Sequence, residues 1–353
     1  MSIHVPQAAA SAEQTKSVPR VAVLGVGHWG KNLVRNFAEL GALVAVVDPD
    51  VAAAAALVST HGGAVMDLDA VLADPEINAV AIAAPAPLHH DLARRALGAG
   101  KHVFVEKPVA LTLAEAEDLV AASARTGLTL MVGHLLHYHP VFEALKRLVA
   151  AGDLGRIRYI YSNRLSLGKI RREEDVLWSF APHDISMILA LAGEEPDRVS
   201  AAGACLLDDR IIDSVTVQLG FPSGCRGHIF ASWASPFKEQ KLVVIGDDAM
   251  AVFDDTQPLW EEKLAVWREP IIWHDGAPTV VKGEPEWIDA PRGEPLQAEC
   301  AHFLDCVANG KTPRTDGVEG LGVLRVLTQA SDSIDQGRRA AVAIIPAGGP
   351  ARP

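Results

Sequence analysis

The stretch that decides the fold is Val21-Ala-Val-Leu-Gly-Val-Gly-His-Trp-Gly30. The apolar run Val21–Leu24 is typical of a buried strand, and the periodic segment Lys31–Leu40 that follows predicts a helix. Between them lies a GxGxxG motif. Its first glycine permits a tight turn, its second lets the backbone approach a pyrophosphate, and its third lets helix and strand pack closely. The context predicts a dinucleotide-binding loop with the diphosphate at the helix N-terminus; a purely structural glycine turn is the alternative.

Asp48 narrows the choice of dinucleotide. It ends the next predicted strand, Leu43–Asp48, and follows Gly30 by 18 residues. A carboxylate at this distance accepts hydrogen bonds from the ribose hydroxyls of the adenosine and repels a 2′-phosphate. The sequence therefore favours NAD over NADP.

The rest of the chain predicts a two-part fold. Short apolar runs alternate with helical patterns up to residue 134, which is typical of a doubly wound parallel sheet. Period-two alternation follows and indicates a large, mainly antiparallel sheet in an α+β domain, interrupted by a helix from about Ala181 to Leu191. We expect a disordered tail (1–19), an NAD-binding Rossmann domain (20–134), a C-terminal substrate-binding and oligomerisation domain (135–340) and a second tail (341–353).

Composition excludes several classes of protein. The formal net charge of −12 opposes binding to nucleic acid, and the sequence has no run of Lys and Arg that would form a basic patch. No apolar stretch reaches the roughly 18 residues of a membrane span, and the first residues lack the apolar core of a secretory signal. The cysteines are widely spread, so we expect reduced thiols in a cytoplasmic protein. They are Cys205, Cys225, Cys300 and Cys306.

A second motif follows the strand His102–Val105 and reads Glu106-Lys107-Pro108. Ligands bind at the carboxyl ends of the strands in a doubly wound sheet, which puts Lys107 at the cofactor crevice. The proline removes a backbone donor and can fix a cis bond that aims the lysine inward. A solvated Glu-Lys pair at a strand end explains the same three residues equally well.

Together, four segments resemble the Gfo/Idh/MocA oxidoreductases: the glycine motif, Pro85 to His89, Ala99 to Pro108 and the pair His183-Asp184. The resemblance extends over about residues 20 to 338. It implies an NAD(P)-dependent dehydrogenase of sugars, inositols or related compounds, with Lys107 in the active site, a cis Lys107-Pro108 bond and a homodimer or homotetramer. The expected cofactor contacts are Gly25, Gly27, His28, Trp29, Gly30, Asp48, Pro85, His89, Glu106 and Lys107.

His183 is the candidate general base. It stands near the start of an apolar helical segment, with Pro182 suited to the first helical turn. A neutral imidazole takes a proton from a substrate hydroxyl as hydride leaves the same carbon; a histidine that only caps the helix is the alternative. Many members of the family carry an Asp four residues before this histidine, where this chain has Ser179.

A histidine cluster follows Gly133, where relatives often have an Asn and an Arg. The spacing of His134, His137 and His139 fits neither a helical zinc pair nor a Cys/His finger, so we expect no metal site and assign them to pocket lining or hydrogen bonding. His89 opens a helix near the expected nicotinamide edge, and capping of that helix is its alternative role.

The segment 163–174 is rich in Arg and Lys beside the predicted site. Such side chains suit a diphosphate or carboxylate on the substrate, although a solvated loop paired with its own acids is the alternative. The segment and residues 177–184 look most like the family branch that oxidises the 3-hydroxyl of UDP-N-acetylglucosamine or its uronate. We expect substrate contacts from Lys107, Asn163, Arg164, Lys169, His183 and Asp184. The competing hypotheses are a dehydrogenase or reductase of a free sugar, inositol or polyol, a non-catalytic NAD-binding regulator, and a structural scaffold.

Overall fold

The computed structural model describes residues 18–344, except residues 169, 173, 269–270 and 281–282. Most of the N-terminal tail predicted for 1–19 therefore lies outside the described residues. The predicted C-terminal tail begins at 341, but the last helix continues to Ile344, and only the residues beyond it lie outside the description. None of the described helices is long and apolar enough to cross a membrane.

The N-terminal part forms a six-stranded sheet in which every pair is parallel. Its strands are β1 Val21–Leu24, β2 Leu43–Val47, β3 Ala64–Val65, β4 Ala79–Ile82, β5 His102–Glu106 and β6 Leu130–Gly133. They lie in the order β3-β2-β1-β4-β5-β6. The order reverses at β1, and ligands of doubly wound sheets bind at the carboxyl ends of the strands beside that reversal.

Five helices connect these strands and cover both faces of the sheet. They are α1 Gly30–Glu39, α2 Val51–His61, α3 Leu68–Ala73, α4 His89–Gly98 and α5 Leu113–Thr126. α1 begins at the last glycine of the motif, so its free N–H groups lie beside the glycine loop. The strands are apolar throughout because both of their faces are buried.

The second sheet has eight strands in the order β16-β13-β12-β11-β7-β10-β9-β8. The strands are β7 Ile157–Leu167, β8 Arg198–Ala204, β9 Ser214–Gly220, β10 Arg226–Ser232, β11 Ala234–Gly246, β12 Ala249–Asp254, β13 Leu264–Arg268 and β16 Glu286–Trp287. All pairs are antiparallel except β7 with β10. A small hairpin, β14 Ile271–His274 and β15 Ala277–Val280, stands apart. The predicted architecture of a parallel domain followed by a mainly antiparallel sheet is confirmed.

Four more helices complete the fold: α6 Pro140–Ala151, α7 Val176–Ala192, α8 Pro295–Asn309 and α9 Gly317–Ile344. α7 begins earlier than the predicted Ala181, because the Asp175 carboxylate accepts a hydrogen bond from Trp178 N at 3.0 Å and caps the helix there. Pro182 consequently lies inside the helix rather than in its first turn, which corrects the expectation from the sequence.

The last two helices return to the N-terminal domain. Phe303 of α8 packs between Phe37 of α1 and Phe104 of β5, with ring centroids 6.3 and 5.8 Å away. α9 contributes Leu321 and Leu324 to the core of the first domain, while other residues of the same helix pack under the second sheet. Residues of α8 and α9 therefore belong to the hydrophobic core of the first domain, although they come long after residue 134 in the chain.

Candidate active site

The glycine loop has the shape that a dinucleotide requires. Gly25 has a φ of +92°, and a Cβ there would lie 2.8 Å from the backbone nitrogen of Ala84. A Cβ on Gly30 would lie 2.0 Å from the carbonyl oxygen of Gly25, so neither position accepts a side chain. Gly27, in contrast, has no atom within 4 Å of where its Cβ would be. It leaves open the space through which a diphosphate reaches the backbone; His28 and Trp29 beside it are exposed.

A cleft of about 1130 Å³ opens from this loop along the ends of β1, β2 and β4. Gly25, Gly27, Asp48 and Pro85 line it. The carboxylate of Asp48 accepts hydrogen bonds from Val26 N at 2.7 Å and from Asp50 N at 2.8 Å. These bonds fix the side chain, and a carboxylate has lone pairs left for further donors. The cleft thus fits the adenosine half of a dinucleotide, with Asp48 on its wall.

Glu106 ends β5 between the glycine loop and β6. Its carboxylate accepts a hydrogen bond from Nε1 of Trp29, and a Cβ on Gly133 would lie 2.9 Å from its Oε2. Burial raises the pKa of Glu106 to about 7, against the opposing effects of the Trp29 hydrogen bond and the Lys107 charge. Glu106 is therefore a buried carboxyl that is partly ionised near neutral pH.

Lys107 extends from the same strand end towards α7. The Lys107-Pro108 bond is cis, as the resemblance implied. Nζ donates a hydrogen bond to the carbonyl oxygen of Ser179 at 3.1 Å. Burial lowers the pKa of Lys107, while Glu174 and Glu106 oppose that effect. Lys107 is half-buried and its ammonium group is bonded to α7, which argues against the alternative of a fully solvated surface pair.

His89 contacts two backbone segments near Lys107. Its Nδ1 lies 2.7 Å from the carbonyl oxygen of Pro108, and its Nε2 lies 2.8 Å from that of Ala84. The side chain is buried, and burial lowers its pKa. Both ring nitrogens face backbone carbonyls, so neither is available to a cofactor. This geometry corrects the expected cofactor contact: His89 ties the end of β4 to the loop that carries Lys107.

His183 lies on α7 with its two ring nitrogens in different surroundings. Nδ1 is buried and has no hydrogen-bond partner in the described part of the chain. Burial lowers the pKa of His183 well below its usual value, and the nearby charges of Lys107 and Arg164 lower it further. The imidazole is consequently neutral at neutral pH, which a general base requires.

Two of the expected substrate contacts form an ion pair instead. Asp184 is fully buried, and its carboxylate accepts hydrogen bonds from Arg164 at 2.6 and 3.1 Å and from Ser162 at 2.5 Å. A ligand cannot reach this carboxylate, so Asp184 orients Arg164 and ties α7 to β7. The outcome corrects the expectation for Asp184 and leaves Arg164 beside the site with two of its five N–H donors bonded to Asp184.

Asn163 lies on the other face of the sheet. Successive side chains of a strand alternate between faces, and Arg164 points towards α7, whereas Asn163 donates a hydrogen bond to Glu239 at 2.8 Å. The expected substrate contact is therefore corrected. Lys169, the remaining member of that set, lies outside the described residues.

The histidine cluster is a hydrogen-bonded connector between domains. His134 Nδ1 lies 2.6 Å from Glu319 of α9, His137 Nε2 lies 2.7 Å from Ser186 of α7, and Ser186 donates to Glu319 at 2.5 Å. His139 Nδ1 accepts from Val141 N and caps α6. Over the described ranges, no group of three or more His, Cys, Asp or Glu side chains is arranged to hold a metal ion.

Sequence reasoning missed the partners of this connector. Glu319 follows Asp316, which caps α9, and an acid at this spacing after a capping residue is typical of a helix start. The local sequence around Glu319 therefore does not indicate its long-range contact with His134. Ser179 was noted only as a departure from the family, whereas its carbonyl holds Lys107.

Comparison with known proteins agrees with this geometry. The description "oxidoreductase family, NAD-binding Rossmann fold" matches residues 19–134, and "GFO/IDH/MocA C-terminal domain" matches residues 142–252. UDP-N-acetylglucosamine 3-dehydrogenase from Acidithiobacillus ferrooxidans is 30% identical over 90% of this chain and 97% of its own length. A solved structure of that enzyme superposes with a TM-score of 0.80 at 27% identity, covering 91% of this chain and 99% of the other.

Inositol dehydrogenases are also similar. Inositol 2-dehydrogenase from Rhizobium meliloti is 28% identical over 92% of this chain and 99% of its own length. The scyllo-inositol 2-dehydrogenase (NAD(+)) of Bacillus subtilis is 29% identical over 90% of this chain and 94% of its own length. The matches cover both domains and are shared by enzymes that act on hydroxyl groups of sugars and inositols. The chain belongs to the Gfo/Idh/MocA family of oxidoreductases.

Proposed function

We propose that the protein oxidises a secondary hydroxyl, at C3, of a nucleotide-linked sugar such as UDP-N-acetylglucosamine or its uronate, with NAD as the hydride acceptor. The main support for the proposal is that Lys107 and His183 lie close to each other at the junction of the domains, beside the cofactor cleft. The similarity to a UDP-N-acetylglucosamine 3-dehydrogenase over nearly the full length of both chains supports the substrate class.

The chemistry is divided among a few side chains. Bound NAD supplies the acceptor for the hydride that leaves the carbinol carbon. Nε2 of His183 takes the proton of the substrate hydroxyl, because the imidazole is neutral and has its other nitrogen buried. The ammonium group of Lys107 donates a hydrogen bond to the same oxygen and stabilises the negative charge that develops on it. The carbonyl oxygen of Ser179 keeps that ammonium group in position.

Asp48 supports NAD rather than NADP. Backbone hydrogen bonds hold its carboxylate on the wall of the cleft, where the adenosine ribose of a dinucleotide lies. A fixed carboxylate accepts the ribose hydroxyls and repels a 2′-phosphate. The open space at Gly27 accommodates the diphosphate, and the hydrogen bond from Trp29 to Glu106 ties the glycine loop to the end of β5.

A cationic rim supports an anionic substrate. Arg164 and Arg171 lie close enough to Lys107 to lower its pKa. Lys107 and Arg164 in turn lower the pKa of His183. Glu174 neutralises part of this charge through an ion pair with Arg171 at 2.5 Å. Diphosphate or carboxylate groups of a sugar nucleotide suit such a rim. A free sugar or an inositol is the second candidate substrate, favoured by the similarity to inositol dehydrogenases.

Formation of reduced nicotinamide tests the proposal. Purified protein is mixed with NAD and, separately, with UDP-N-acetylglucosamine, its uronate, dTDP-sugars, free sugars and inositols. We expect turnover with a UDP-sugar and little with the free polyols. Turnover with free polyols alone would show that the sugar-nucleotide assignment is wrong.

Lys107→Met separates an enzyme from a regulator that only binds NAD. We expect the variant to lose about a hundredfold or more in kcat, because a preorganised charge on the reacting oxygen is removed, and to retain NAD binding by calorimetry. Lys311→Met, which removes an exposed lysine paired with Asp305, is the matched control and keeps full turnover. Wild-type protein that binds NAD yet turns over no substrate of the panel would favour the regulator.

We also propose that two copies associate through the open face of the second sheet, and that the protein works in the cytoplasm. The open face carries half-buried aromatic and apolar side chains from β7, β10, β12 and β13, namely Tyr161, Phe230, Val252 and Trp267. Aromatic and apolar side chains on an open sheet face are typical of an interface in oligomers. The cysteines are all free thiols, which suits a reducing compartment.

A further inference from the structure

α7 carries two buried polar atoms that have no hydrogen-bond partner in the described part of the chain. One is Nδ1 of His183, and the other is Oγ of Ser179. The two residues are four positions apart in the helix, so their side chains are neighbours on one face. A native structure rarely leaves buried polar atoms unpaired, and two such atoms at one place require a common explanation.

The other polar groups on this face of α7 are already engaged. The carbonyl oxygen of Ser179 accepts the hydrogen bond from Lys107. Ser186, one turn beyond His183, is bonded to both His137 and Glu319. The hydroxyl of Ser179 is therefore an uncommitted hydrogen-bonding group, within the described part of the chain, on the helix face that carries His183. Rotation about its Cα–Cβ bond moves the hydroxyl between staggered positions and brings it towards the imidazole.

We propose that Ser179 is a positioning residue whose hydroxyl accepts a hydrogen bond from Nδ1–H of His183 and so leaves Nε2 free to take the substrate proton. The inference rests on the proposed function of His183 as the general base. A neutral imidazole carries one N–H, and only the form protonated on Nδ1 offers Nε2 as an acceptor. Without an acceptor at Nδ1 the proton would occupy Nε2, and the histidine would donate to the substrate instead.

A hydrogen-bond partner without charge is also compatible with the side chains around His183, all of which lower its pKa. The groups that act on the imidazole from neighbouring elements are Lys107, Arg164, His134 and His137, and each lowers the pKa of His183. A serine hydroxyl orients the ring without opposing them, whereas a carboxylate at this position would raise the pKa. The base of this enzyme therefore stays unprotonated to lower pH than one paired with an acid.

Nitrogen NMR of the imidazole tests the contact without any turnover. In the full chain labelled with ¹⁵N-histidine, the signals of His183 are identified by their absence in His183→Gln. We expect the form protonated on Nδ1 in the wild type and in Ser179→Thr, which keeps a hydroxyl, and the form protonated on Nε2 in Ser179→Ala. A wild-type His183 protonated on Nε2 at neutral pH would overturn the proposal, even if Ser179→Ala failed to fold.

Kinetics give a second readout. Ser179→Ala is expected to lower kcat roughly ten- to hundredfold, as loss of a hydrogen bond that orients a functional histidine does, with little change in KM; Ser179→Thr restores most of it. Ser179→Asp moves the acidic limb of the kcat/KM profile to higher pH. An unchanged kcat in Ser179→Ala would contradict the role. Wild-type protein inactive on every substrate would count against the proposed function alone, because the tautomer of His183 is still read by NMR.

Discussion

At the scale of single residues, Asp48 is the basis of the proposed preference for NAD over NADP. Its two oxygens are held by the backbone N–H groups of Val26 and Asp50, so the carboxylate is preorganised before any ligand arrives. With NAD as the proposed cofactor, removal of the carboxylate would remove both its hydrogen bonds to the ribose and its repulsion of a 2′-phosphate. We therefore expect Asp48 to affect both the affinity for NAD and the discrimination against NADP.

We expect Asp48→Ser to weaken NAD binding by about ten- to hundredfold, the effect of losing a hydrogen bond to a charged group of roughly 1.5–3 kcal/mol, and to strengthen NADP binding. Calorimetric titration with both dinucleotides measures the change. Asp153→Asn, an exposed acid that follows α6 in the second domain, is the control. Equal loss of affinity for both cofactors would argue against a contact with the ribose hydroxyls.

Glu106 predicts that cofactor binding is linked to a proton. Because burial raises its pKa to about 7, the carboxyl is half protonated near neutral pH. A positive nicotinamide ring bound beside Glu106 would favour the ionised form, so we expect NAD⁺ binding to release a fraction of a proton and to tighten as the pH rises through neutrality. Calorimetry in two buffers of different ionisation enthalpy detects that proton.

Glu106→Gln removes the titrating group and is expected to abolish the difference between buffers while it preserves the hydrogen bond from Trp29. Proton release that persists in this variant would assign the linkage to another group.

The sequence predicted some of these residues better than others. The glycines, Asp48 and Lys107 follow buried strands directly, and a strand end has one place in a parallel sheet. The substrate contacts predicted for Asn163 and Asp184 differ from the structure for another reason. Their neighbours, Glu239 and Arg164, come from strands whose register cannot be read from local periodicity. A polar residue beside a site looks the same in sequence whether it binds a ligand or another side chain.

At the scale of elements, α8 contains a buried acid that costs stability. Glu299 is fully buried, both of its oxygens lack a partner among the described residues, and burial raises its pKa well above the usual 4.5. The unfolded chain loses this proton near its ordinary pKa, whereas the folded chain keeps it. The folded state is therefore penalised increasingly as the pH rises above about 4.5.

We expect Glu299→Gln to raise Tm at mildly alkaline pH and to leave it nearly unchanged near the unfolded pKa of the carboxyl.

Glu294→Gln at the start of the same helix is the opposite case, because Arg35 lowers the pKa of Glu294 and the pair stabilises the fold above that pKa. This partly exposed pair contributes at most about 1 kcal/mol, so the loss is small. Thermal unfolding at both pH values measures the two variants; a Glu299→Gln protein that melts lower at alkaline pH would contradict the expectation.

Helices and strands of the first domain were predicted closely from sequence, because fully buried strands and capped helices carry strong local signals. The bounds of β1 match the prediction, and those of α1 and β2 differ from it by no more than one residue at either end. The start of α7 was missed because Pro182 resembles a helix N-terminus, while the true cap, Asp175, lies in a charged loop. The short strands β13 and β16 were also missed, since two to five residues carry little periodicity.

At the scale of the whole molecule, the open face of the second sheet predicts self-association. Tyr161 stacks on His228 on that face, with ring centroids 5.3 Å apart. We expect a dimer or tetramer by light scattering. Phe230→Asp, near the centre, should dissociate it, because a charge would be buried without a partner. Ser59→Asp, on an exposed position of α2 in the first domain, is the control. A wild-type monomer at micromolar concentration would refute the proposed interface.

The return of α8 to the first domain affects how the chain acquires its structure during synthesis. Phe303 fills the gap between Phe37 and Phe104, so the dinucleotide domain lacks part of its core until the ribosome has made α8. Growing chains that end before α8 expose that apolar gap, and such intermediates are prone to aggregate. Synthesis of α8, rather than of the last strand of the first sheet, is therefore the step at which the first domain can acquire its full core.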